Sequence, residues 1–138
     1  MNFSEKVKTA RTAKNMSQKE LATATGISER TIQNYEMGVR LPKKRETYMK
    51  LAGALGISPD VLMDEDAAFI ITASERYGGR GRKQAEALAD QMRTAVAAAG
   101  GALDDDDIDF LRDAMMQTFD DAKRYNQRFR NKRYTEDN

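Results

Sequence analysis

The sequence predicts an all-α protein, and three observations carry that reading. Proline occurs only at positions 42 and 59 of 138 residues, so long stretches lack the residue that removes a helical hydrogen bond. Apolar residues recur at three- and four-residue spacing in segment after segment, the period of one helix face. Short punctuation falls between those segments: Ser17 with Glu20 as an S-x-x-E capping box, and Gly26 and Gly56 where helices should stop.

The first helix is expected over Ser4–Lys14, with Phe3, Val7 and Ala10 facing inward. Residues Gln18 to Met37 read as two short helices joined by a tight turn. Leu21 and Ala22 share a face of the first, and the small Ala22 lets the two helices approach closely. Gly26 stands where the chain must turn, in a left-handed conformation that only glycine adopts without steric cost. Ser28 can cap the next helix, whose apolar side is Ile27, Ile32 and Tyr35. Lys44–Leu55 follows with Tyr48, Leu51, Ala52 and Leu55 at helical spacing. Pro59 fits a first helical residue after an N-cap at Ser58, with Val61 and Leu62 apolar behind it. Residues 1–63 therefore form one compact five-helix domain.

The second half reads as a helical extension. Residues 64–77 hold the short run Phe69, Ile70, Ile71; flanking alanines and the lack of a partner strand favour helix. Gly78, Gly79 and Gly81 break the pattern, so 64–81 is expected to be a connecting helix and glycine-rich linker. Residues 82–99 carry Ala85, Leu88, Met92, Ala95 and Ala99 in a 3-4 rhythm, ended by Gly100 and Gly101. A last helix over 104–129 repeats it with Ile108, Leu111, Met115, Thr118, Ala122, Tyr125 and Phe129. These two helices can pair as a hairpin over 82–130, leaving 131–138 as a flexible tail. Two amphipathic helices make a thin core, so they need other apolar surface, and Leu88, Met92, Ile108, Leu111 and Met115 are the candidates for dimerisation.

Composition narrows the function. The net charge of +1 hides a division: residues 1–63 hold 11 Lys and Arg against 6 Asp and Glu, and residues 64–138 hold 12 against 16. A basic N-terminal half suits contact with phosphates. Without cysteine or histidine there are no disulfides, no thiolate metal sites and no commonest general base. No cofactor, no metal and no catalytic residues are expected. No apolar run is long enough to span a membrane, and MNFSEKVK lacks a signal-peptide stretch. A cytoplasmic location follows as the expectation.

On the second helix of the Gln18–Met37 pair, Glu29, Arg30, Gln33 and Asn34 are left on the outer face. Such side chains suit base edges in a major groove: Arg to guanine, Gln or Asn to adenine, Glu to cytosine N4. Glu29 can equally orient Arg30. The spacing Ala22, Gly26, Ile32 resembles the helix-turn-helix of the Xre and Cro family, the lambda-repressor-like DNA-binding domains. The exit E-M-G-V-R-L-P and the segment LAGALGIS are similar to that family as well, so the resemblance covers roughly residues 2–63. It implies a buried structural ion pair between Arg11 and Glu36. Phosphate contacts are expected from Gln18 at a helix start, from Thr31, and from Arg40, Lys43 and Lys44.

Three other patterns invite sharper readings. Asp104–Asp107 with Asp109 fails as a calcium loop, since the sixth and twelfth positions hold Asp109 and Met115; N-capping and dipole complement account for it. GGRGRK at 78–83 lacks the spacing of a phosphate-binding loop. The basic residues Lys123, Arg124, Arg128, Arg130, Lys132 and Arg133 read either as a solvated helix end or as an extra nucleic-acid contact.

The expected function is a DNA-binding transcriptional regulator, a repressor working as a homodimer on double-stranded DNA with two half-sites. The alternative is an antitoxin that autoregulates its operon and binds a protein partner through its C-terminal helices. A DNA-modifying enzyme is a poor third, because no catalytic pairing is recognisable.

Overall fold

The computed structural model describes residues 1–136, with side chains through Arg128. Among the described residues it is all-helical: α1 (Phe3–Ala13), α2 (Gln18–Thr25), α3 (Glu29–Glu36), α4 (Arg45–Leu55), α5 (Pro59–Leu62), α6 (Glu65–Ala98) and α7 (Asp105–Glu136). The chain divides into two compact units, residues 1–71 and 72–138.

In the first unit, local capping marks the starts of α1, α2, α3 and α5 and the ends of α2 and α4. The Asn2 side chain accepts from the Glu5 amide and caps α1. Ser17 and Glu20 form the reciprocal box at α2, and Gly26 ends that helix at φ 73°. The Ser28 hydroxyl accepts from the Thr31 amide at α3. Gly56 ends α4 at φ 68°, and Pro59 opens α5 behind the Ser58 cap. Val7, Leu21, Ile32, Tyr35, Tyr48, Leu51, Ala52, Leu55, Leu62 and Met63 fill one core. The Phe3 ring meets Tyr35 and Tyr48 edge-on, with centroids 5.6 and 5.5 Å apart. Such pairs add roughly 0.5–1.5 kcal/mol each beyond burial. Val61, on the outer side of α5, is exposed.

The boundary falls at Ile71, later than the expected Met63. The reason is Ile71 itself, which is 2% exposed within the first core, with Ala67 and Ala68 packed on the same side. The apolar run at 69–71 is therefore helix, and part of it belongs to the N-terminal core.

The second unit starts within α6. The glycine stretch expected to be a linker is helical except at Gly78, whose φ 73° and ψ −164° open to glycine alone. A Cβ on Gly81 would lie 2.4 Å from the Tyr77 Cβ, so the kink also needs glycine there. The bend shows in the pairing. Gln84 accepts from Lys123 at 2.5 Å. A straight antiparallel pair would carry Tyr77, seven residues earlier, to about residue 130. Tyr77 instead stacks edge-on with Phe119 at 6.1 Å and donates to the Asp120 carboxylate.

Gly100 and Gly101 make the turn into α7 at positive φ. Asp104 and Asp107 then form a reciprocal cap, each carboxylate accepting from the other's backbone N–H at 2.8 and 3.2 Å. The side chains of Phe129, Arg130, Lys132 and Arg133 lie outside the described residues, and so does the end of the expected tail, residues 137–138.

Candidate nucleic-acid interface

The site is built on α3, and α3 is held from behind. Ile32 is fully buried and Tyr35 is 6% exposed. Burial pushes the Tyr35 hydroxyl above the usual phenol range, while the positive charge of Arg40 acts in the opposite sense. At the C-terminal end of α3, the Glu36 carboxylate receives Nε and Nη2 of Arg11, each at 2.8 Å. Arg11 Nη1 donates to the Met16 carbonyl at 2.8 Å. One guanidinium thus ties α1, the chain entering α2, and α3 together. Hydrogen bonding to Glu36 raises the already high pKa of Arg11, so the guanidinium stays charged.

With those two fixings, the opposite face of α3 is presented outward. Glu29, Arg30 and Gln33 are exposed and Asn34 is half-buried. Successive exposed positions at 29, 30 and 33 share one side of a helix. Thr31 is half-buried, and its hydroxyl oxygen lies 2.8 Å from the Ser28 hydroxyl, so it serves the helix start before anything else. Gln18 is half-buried at the first position of α2.

The loop after α3 presents the cations. Pro42 is buried, whereas Arg40, Lys43 and Lys44 around it are exposed. The loop thus buries its proline while the charged side chains on either side of it in the chain stay exposed. Val39 and Leu41 are also exposed, at 72% and 55%. Periodicity gives no sign of them, because they lie outside any helix.

The N-terminal unit thus combines two short helices joined at Gly26, a polar helix backed by the core and a basic loop after it. Residues 7–62 match the family model described as Helix-turn-helix. This segment belongs to the Xre/Cro-type helix-turn-helix family. No curated protein and no solved structure gives a match to the chain. This helix-turn-helix segment supports a DNA-binding transcription regulator, with double-stranded DNA as the partner. Among the described residues no helix is long and apolar enough to cross a membrane.

The five dimerisation candidates all lie in the second unit. Leu88, Met92, Ile108 and Met115 are half-buried, and Leu111 is 42% exposed. The side of α7 turned to α6 is marked by Phe119, Asp120 and Lys123, which contact Tyr77 and Gln84. The expected seam members Thr118, Ala122 and Tyr125 are exposed instead.

Proposed function

We propose that this protein is a transcriptional repressor that binds, as a homodimer, an operator of two half-sites. It acts in the cytoplasm, by binding alone and without catalysis. The observation that carries this reading is the exposed row Glu29, Arg30 and Gln33 on a helix whose other side is buried through Ile32 and Tyr35. Arg30 is suited to a bidentate pair with guanine, and Gln33 or Asn34 to adenine. Arg40, Lys43 and Lys44 supply phosphate contacts that hold the helix in register. Two such helices in successive major grooves, about 34 Å apart, cover a promoter and exclude polymerase.

The dimer is supported by how little the second unit buries. Beyond Ile71, the buried apolar residues among the described ones are Ala73, Ala85 and Ala89. The larger apolar side chains of this unit are at most half-buried, a thin core for two long helices, and further apolar surface would complete it. The same exposed apolar side chains favour a second reading, an antitoxin whose C-terminal helices mask a toxin while the N-terminal unit controls its own operon.

Selection of bound duplexes from a random pool, footprinting of the winners and light scattering test the proposal together. A dimeric mass with two protected half-sites one turn apart is expected. A monomer protecting one half-site would overturn the homodimer and raise the antitoxin reading.

A further inference from the structure

Helix α7 has two apolar faces. Ile108, Met115, Met116 and Phe119 are half-buried, and helical periodicity places the first three on the side where Phe119 meets Tyr77. Leu111, Thr118, Ala122 and Tyr125 form a second stripe that is exposed, Leu111 by 42% and Tyr125 by 68%. At 3.6 residues per turn the two faces are centred roughly 100° apart. The heptad spacing of 111, 118 and 125 keeps the outer stripe straight along a partner helix.

The charge along α7 selects the occupant. Asp104–Asp107, Asp109 and Asp113 crowd its start, while Lys123, Arg124 and Arg128 lie toward its end. A second α7 laid parallel would set carboxylates against carboxylates. Laid antiparallel, it sets the acidic start of each helix against the basic end of the other.

We propose that two copies of this chain dimerise through antiparallel α7 helices, centred on Thr118 meeting Thr118 of the second copy. Leu111 then lies against Tyr125 of the other copy, since the two positions are equally far from 118. Asp107 lies on the flank beside Arg128 of the other copy, close to the same register. The contact gives each hairpin the apolar cover that its three buried alanines do not supply. This inference rests on the homodimer reading above and specifies its face and direction.

The chain has no cysteine, so single introduced thiols report the pairing directly. Thr118→Cys, Leu111→Cys, Tyr125→Cys and the double variant Leu111→Cys/Tyr125→Cys are made in the full-length protein, whose mass is followed by light scattering. Each is then oxidised and run on non-reducing gels. A disulfide needs Cα atoms within about 7 Å. In the antiparallel pair, residue 111 and its copy are 14 residues apart along the axis, about 21 Å. Thr118→Cys and the double variant should become mostly covalent dimer, and the Leu111 and Tyr125 single variants should stay monomeric on the gel. Self-cross-linking of both single variants means parallel helices and overturns the proposal. A dimeric mass with no cross-link from any variant overturns this face while leaving the homodimer standing. A monomeric mass throughout overturns both.

Discussion

The guanidinium of Arg11 grips the Glu36 carboxylate through two hydrogen bonds of 2.8 Å, with the side chains only 14% and 4% exposed. The two residues are 25 positions apart, so the pair joins α1 to the far end of α3. Its third hydrogen bond, to the Met16 carbonyl, leaves no freedom for the guanidinium to turn. The orientation of α3 relative to the rest of the N-terminal unit therefore depends on this pair.

Arg11→Met should destabilise the N-terminal unit by roughly 3–5 kcal/mol, because Glu36 is left charged, buried and without its cation. The double variant Arg11→Met/Glu36→Leu should recover much of that loss. Urea unfolding followed by helical circular dichroism measures both. A loss under about 1 kcal/mol for the single variant would show that water replaces the guanidinium.

Arg30 is exposed on α3 and does not hold the fold. Arg30→Ala should weaken binding to the selected operator by roughly 1–3 kcal/mol while changing binding to random duplex far less. Competition measurements on both duplexes decide the matter. Equal losses would reassign Arg30 to a phosphate.

Lys43 and Lys44 are exposed beside the buried Pro42 in the loop after α3. Replacing both with alanine should weaken binding to every duplex alike. The slope of log affinity against log salt should flatten by about one unit for each phosphate that is no longer neutralised. An unaltered slope would place both lysines outside the interface.

Asp120 anchors the pairing of α6 with α7. It accepts from the Tyr77 hydroxyl, and Arg76 and Arg124 approach its two oxygens at 3.1 Å each. The Tyr77 hydrogen bond, followed by the two arginines, holds its pKa below the ordinary carboxylate value. A depressed folded-state pKa means stabilisation that is fully present above the unfolded value of about 3.9 and lost as pH falls through the folded one. Carboxyl carbon NMR should show Asp120 titrating below pH ~3.9. Asp120→Asn should weaken the second unit at neutral pH, with the difference from the parent closing in acid. The effect should be modest, because both arginines are more than half exposed and screened by solvent.

The first five helices are legible in the sequence because their signals are short-range. A capping serine or a left-handed glycine acts within four residues, so Ser17, Gly26, Ser28 and Pro59 mark their boundaries wherever the rest of the chain goes. The outward face of α3 follows from the same local logic, since Ile32 and Tyr35 name the inward one. The family resemblance pointed to Arg11 and Glu36, residues that no period connects. The Met16 carbonyl and the exposed Val39 and Leu41 left no such trace, because a backbone oxygen and a loop side chain have no pattern to read.

By itself, then, the sequence determined the first five helices, the caps at Ser17, Gly26, Ser28, Gly56 and Ser58, and the polar row on α3. Tertiary structure alone decided that Ile71 completes that core, that the chain bends at Gly78 rather than running through a linker, and that α7 turns Phe119 rather than Leu111 toward α6. The physical reason is the range of the forces. Caps and turns are satisfied by neighbours in the chain, whereas the choice between two apolar faces of one helix depends on which surface arrives to cover it.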